Sequence, residues 1–183
     1  VAYQMSACQA IESALGVEID PALRDLRHLL YCGEWIESHV LHIHLLHAPD
    51  FLGYPSGIAM AADHRDEVQR GLQLKKIGNR IVEVIGGRAV HPVNIRIGGF
   101  YRVPSAAEMA DLATELNRAL NASLEVARWV AGFAFPDHAL PDGTALVALR
   151  HPTEYPMLGN RLVSTDGLDI TPEQFLDHFD EEH

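Results

Sequence analysis

Thiols, cations and long apolar runs are all scarce in this 183-residue chain. There are two cysteines, Cys8 and Cys32, 24 positions apart and neither within a C-x-x-C. They read as reduced, buried small hydrophobes of a cytosolic protein, not as metal ligands. Lys and Arg number 14 against 25 Asp and Glu, a formal charge of −11, which argues against a nucleic-acid surface. Part of that excess crowds the C-terminus at Asp177, Asp180, Glu181 and Glu182, where a solvated end is expected. No uncharged apolar run approaches the roughly 20 residues needed to cross a bilayer, so no membrane span is expected. The opening VAYQMSACQA is not a signal peptide. Neither G-x-x-x-x-G-K-[ST] nor G-x-G-x-x-G occurs, which argues against a nucleotide site, and the zinc motif H-E-x-x-H is missing too. What remains is 48% apolar and 21% charged, ordinary for a globular protein of a size to form one domain with a real core.

The pattern along the chain is mainly α with small β patches, an α+β chain with a helical-bundle core. Residues 3–15 form a short helix that Gly16 can end. Asp20 followed by Pro21 is a helix start, the carboxylate as N-cap and the proline in the first turn. From there Leu23, Leu26, Leu29, Leu30, Ile36, Val40, Leu41, Ile43, Leu45 and Leu46 recur at helical spacing. Pro49 disfavours helical geometry at Ala48, so the helix should stop there and leave Asp50 in a turn. A second helix is expected from about Asp63 to Val84, ended by Gly86-Gly87. His91 to Arg102 reads as extended with a bend at Gly98-Gly99. Ser105 and Glu108 form a capping box opening a helix to about Gly132. Residues 145–150 and 161–165 are strand candidates, and Thr171-Pro172-Glu173-Gln174 starts a last helix toward Phe179. No repeat or low-complexity linker appears, so a single domain over 1–183 is the simplest partition.

Four histidines, His39, His42, His44 and His47, lie within nine residues. At about 100° per residue His39 and His42 share a face while His44 and His47 point well away. All four therefore cannot form one site, and a His pair needs ligands from another element. No Glu stands three positions before a His, as di-iron bundles require. Each histidine alone reads as a hydrogen-bonded core residue.

Two stretches carry a family resemblance: LRHLLYCGEWIESHVLHIHLLHAPDFLG, residues 26–53, and IGGRAVHPVNIRIGGFYRVPS, residues 85–105. Both resemble the large subunit of nickel–iron hydrogenases, the second through its GGR-x-x-HP-x-x-x-x-x-GG signature. VAYQMSA resembles the residues just past the family's N-terminal C-x-x-C-P. EYPMLGNRLVSTDGLDI and FLDHFDEEH resemble runs leading toward its C-terminal C-x-x-C. Tyr3 stands where many members carry His, which fits a sulfhydrogenase-like or NADP-linked branch. The quinone-site subunit of respiratory complex I is the alternative relative, with a similar GAR-x-H…R-x-GG segment. A helical scaffold that kept the fold and lost the chemistry is the non-enzyme alternative.

The resemblance implies a helical core of the hydrogenase large-subunit type and a central fragment of a longer chain. In the family, the nickel–iron centre hangs on two C-x-x-C pairs flanking this segment, so the fragment is expected to hold no metal and to be inactive alone. Ser38, His39, His42, Ala48 and Asp50 match the family's S-H-x-x-H helix and alanine-x-aspartate turn beside the centre. Asp50 thereby inherits the catalytic role, paired with an arginine from elsewhere in the full chain. On its residues alone it is a turn residue after Pro49. His39, His42, Arg88, His91 and Arg96 are implied to lie around the site or at an interface between subunits. The implied activity is reversible H2 oxidation in the cytoplasm. Electrons would pass to an iron–sulfur small subunit, then to diaphorase-type or other carrier subunits. Faces covered in the parent would be bare here, so the fragment is expected to self-associate.

Overall fold

The structure is a computed structural model that describes residues 1–158 and 161–180. Glu181 and Glu182 of the acidic end, and Gly159-Asn160 within EYPMLGNRLVSTDGLDI, lie outside the described residues. Contacts divide the chain into two units, residues 1–135 and 136–183.

The first unit is helical. Helix α1 (Ala2–Leu15) ends where Gly16 turns left-handed at φ 65°. Helix α2 (Pro21–Leu41) begins as its sequence dictates, with Asp20 accepting from the Ala22 N–H and Pro21 in the first turn. The helix then departs from expectation. Residues His42–His47 form a π turn, in which the Ala48 N–H reaches back five residues to the Ile43 carbonyl. Helical geometry resumes as α3 (Ala48–Leu52), closed by Gly53 at φ 79°. Pro49 therefore does not stop the helix. The shifted bonding frame accommodates the residue that lacks an N–H, and Ala48 keeps right-handed helical angles (φ −55°, ψ −39°). Asp50 sits inside α3, not in a turn after α2.

A four-residue α4 (Gly57–Met60), not anticipated from the sequence, leads into α5 (Arg65–Gly86), which ends on left-handed Gly87. Helices α2 and α5 pack along a seam of glycines. A methyl group on Gly78 would lie 2.5 Å from the Glu37 nitrogen, and one on Gly33 would lie 2.7 Å from Ile81 Cβ. Backbone thus meets backbone, and Leu30, Ile81 and Ile85 fill the neighbouring space with no exposed surface. Each such side chain stabilises the fold by about 1.5–3 kcal/mol relative to exposure.

After α5, strands β1 (Ile95–Arg96) and β2 (Gly99–Phe100) make an antiparallel hairpin, Ile95 opposite Phe100 and Arg96 opposite Gly99. The extended stretch expected over 91–102 is thus a tight hairpin whose bend falls at Ile97-Gly98. Asn94 fastens it from within: its amide donates to the Ile85 and Arg102 carbonyls, and its oxygen accepts from the Arg102 N–H. Helix α6 (Ala106–Ala131) opens on the expected capping box, Ser105 with Glu108. Arg102 also grips Glu108, and together they bring its carboxyl pKa down to about 2.

In the second unit, β3 (Val147–Arg150), β4 (Arg161–Ser164) and β5 (Asp169–Ile170) form an antiparallel meander. Arg150 and Arg161 both bind Asp169 across it, and Arg161 chiefly keeps that carboxyl below its usual range. Thr171 and Gln174 cap a 3-10 turn that runs into α7 (Phe175–His178).

Candidate functional site

The helix–π turn–helix run places three of the chemistry-bearing side chains together. On a regular α-helix residues five apart point about 140° away from each other. The π turn removes that divergence, so the His42 and His47 rings lie 4.1 Å apart with their planes at 48°. This corrects the sequence expectation that His47 faces well away from His42. His47 Nδ1 stands 3.9 Å from Asp50 Oδ2, and both side chains are substantially exposed. A pocket of about 230 Å³ opens beside them, walled by His42, His47, Ile43, Phe51, Phe133 and Phe135. Phe51 stacks on Phe133 at 5.4 Å and meets Phe135 at 4.9 Å, so the walls brace each other.

His39 goes elsewhere. Its ring stacks on Trp35 at 4.9 Å, and its Nδ1 bonds the Trp35 carbonyl at 3.0 Å. His44 is the core histidine of the four, 1% exposed, its Nδ1 bonded to the Val40 carbonyl and its ring 5.5 Å from Trp129. Burial pushes its pKa down, so the neutral ring is the stable form. A methyl group on Gly71 would lie 2.5 Å from His44 Cγ, so the glycine makes room for the imidazole.

The basic hairpin lies at the opposite end of α2. Arg27 donates to the Arg96 carbonyl there, and from Arg27 to His42 is roughly 22 Å of helix. Arg88 Nε donates to the carbonyls of Val90 and His91, which closes a tight loop with His91 at φ 51°. Arg96 lies over the Tyr101 ring, 5.6 Å from its centre. Exposed Val90, Val93, Ile97, Tyr101 and Val103 surround these cations. The structure therefore groups Asp50 with His42 and His47, groups Arg88, His91 and Arg96 separately, and leaves His39 with Trp35.

Sequence reasoning passed over the ion pair beneath the hairpin. Glu12 accepts from both Arg27 terminal nitrogens, at 2.8 and 2.6 Å, and from the Gly98 N–H at 2.7 Å. Glu12 is 4% exposed and Arg27 2%, and the arginine contact holds the Glu12 carboxyl below its ordinary value. A charged pair 15 residues apart on two helices leaves no signature beyond Glu12 falling among apolar positions of α1.

The two cysteines do not fit a nickel–iron centre. Both are free and half-buried, one on α1 and one on α2, and burial raises both thiol pKa values. Among the described residues no cluster of three His, Cys, Asp or Glu side chains could hold a metal ion. No helix among them is long and apolar enough to cross a membrane.

Comparison with known proteins finds similarity to hydrogenase alpha subunits. The alpha chain of sulfhydrogenase 2 of Pyrococcus furiosus is 45% identical over 113 residues, which is 62% of this chain and 27% of that protein. The alpha chain of sulfhydrogenase 1 of the same organism is 29% identical over 180 residues, 98% of this chain and 42% of that one. The alpha chain of the coenzyme F420 hydrogenase of Methanothermobacter thermautotrophicus is 32% identical over 118 residues, 64% of this chain and 25% of that protein. An NAD+-reducing [NiFe]-hydrogenase crystal structure shares the fold, with a TM-score of 0.71 and 21% identity over 93% of this chain and 42% of that one. No family model matches. The chain is thus a homologue of hydrogenase alpha subunits, and it spans about a quarter to two-fifths of the length of the curated relatives it matches.

Proposed function

We propose that residues 1–183 are the central part of the catalytic large subunit of a nickel–iron hydrogenase, acting there as one domain. The 45% identity to the alpha chain of a sulfhydrogenase carries this reading. The full protein would oxidise H2 reversibly in the cytoplasm. It would pass electrons to an iron–sulfur small subunit. From there, diaphorase-type or other carrier subunits would deliver them to a soluble carrier such as NADP.

Because Cys8 and Cys32 do not suit the metal centre, its thiolate ligands fall to parts of the parent beyond these residues, and this segment alone is expected to be inactive. Its own contribution is positional. Asp50, exposed on α3, is the carboxylate that holds a proton at Oδ next to the reacting site. His39 and His42 stand on the same helical run. Arg88, His91 and Arg96, in their rim of exposed valines and Tyr101, meet the neighbouring chain. That bare apolar rim also supports self-association of the isolated segment.

Elemental analysis of the full-length parent beside this chain tests the reading. Stoichiometric nickel and iron in the parent and no bound cluster here is the expected result. A parent that holds no nickel would sink it.

A further inference from the structure

The His42–His47 pair has a use that the hydrogenase reading does not require. We infer that these two imidazoles chelate a divalent transition-metal ion at the mouth of the aromatic pocket, independently of any cysteine-held centre. Three observations converge on this. The π turn fixes the two rings 4.1 Å apart on one side of the helical run. Both rings line the 230 Å³ pocket, which leaves room for an ion and its waters. Asp50 Oδ2 stands 3.9 Å from His47 Nδ1, too far for a hydrogen bond, but its carboxylate sets negative charge beside the pair where a cation would sit. A neutral imidazole carries its proton on one ring nitrogen and leaves the lone pair of the other for the ion.

The spacing also selects among ions. A metal–nitrogen bond of about 2.1 Å puts each ring centre roughly 3.2 Å from the ion, so centres lie about 4.5 Å apart in adjacent octahedral positions and about 5.2 Å apart in tetrahedral ones. The observed 4.1 Å is nearer the right-angle value, which favours an ion that takes cis nitrogens at about 90°, Ni2+ or Cu2+, over tetrahedral Zn2+. Since no third side chain joins the pair among the described residues, water fills the other positions and the ion exchanges freely.

The test is calorimetric titration of the untagged 183-residue chain with Ni2+, beside His42→Asn, His47→Asn, His39→Asn and Asp50→Asn, with far-UV dichroism confirming that each stays folded. All four positions are exposed, which suits them to substitution. One Ni2+ site is expected, weakened at least tenfold by His42→Asn and by His47→Asn, by a smaller factor by Asp50→Asn, and untouched by His39→Asn. Absence of binding, or equal binding in the His42 and His47 variants, overturns the site. Equal loss in His39→Asn overturns its assignment to the π turn, and unchanged affinity in Asp50→Asn removes the carboxylate from it.

Discussion

Cutting the buried Glu12–Arg27 pair should cost more than any exposed ion pair in the molecule. Replacing Glu12 with Leu leaves a guanidinium that is 2% exposed without its carboxylate and strips the Gly98 N–H of its acceptor. Breaking a buried pair by deleting one partner costs about 3–5 kcal/mol, because the surviving charge stays desolvated. Arg27→Met does the same in reverse, stranding the Glu12 carboxylate and freeing the Arg96 carbonyl. The double variant removes both charges. It keeps only the loss at the two hairpin backbone groups, about 1–3 kcal/mol for each group left buried and unsatisfied. The double variant should therefore be at least as stable as either single one, and a double-mutant cycle should show strong coupling. Urea unfolding followed by circular dichroism at pH 7 measures all four proteins. The pH dependence supplies a check of sign. Glu12 titrates below its ordinary value of 4.5 in the fold, so its stabilisation is complete above that pH and is lost as pH falls through the depressed value. Additive single losses, or a Glu12→Leu loss under about 1 kcal/mol, would refute the argument.

Two other perturbations follow from the packing. Gly78→Ala gains about 1 kcal/mol in helix propensity, but its methyl lands 2.5 Å from the Glu37 nitrogen and 2.8 Å from the Gly33 carbonyl oxygen. Overpacking against backbone should win and leave the variant about 1–3 kcal/mol less stable, and a more stable protein in thermal unfolding would contradict the glycine seam. His44 is buried in its neutral form, with a folded pKa below 6.5. Above 6.5 neither state holds the proton; below it the unfolded chain takes one up first, so stability should fall as pH drops from 6.5 toward the depressed folded value. His44→Met should flatten that slope in unfolding curves between about pH 7 and pH 5; an unchanged slope would remove His44 as its source.

What the sequence disclosed of the fold was local chemistry. Gly16, Asp20-Pro21, Ser105 with Glu108, and Thr171 with Gln174 all act within four residues, and each element begins or ends where those residues direct. The π turn was hidden because a shift of hydrogen-bond register has no compositional mark. The proline rule misled for the same reason, since the altered register accommodates Pro49. Strand β5 and helix α4 are too short, at two and four residues, to show any periodicity. The site was half legible. The motif around Asp50 could be read along the chain, whereas the meeting of His47 with His42 depends on the π turn.

That turn also bears on which changes of length the chain can survive. A π turn is in effect one residue more than a regular helix needs. Deleting any one residue from 43 to 46 would let the run relax into ordinary α-helix without breaking it. Because five residues of the π turn cover about the same arc and rise as four residues of α-helix, everything beyond would keep nearly its present phase and height. Asp50 would stay beside the imidazole of His47 and Phe51 on Phe133, while helix content stayed almost the same. An insertion in the same stretch has no such slack to draw on, so the run tolerates a shorter spacing between His42 and Asp50 better than a longer one.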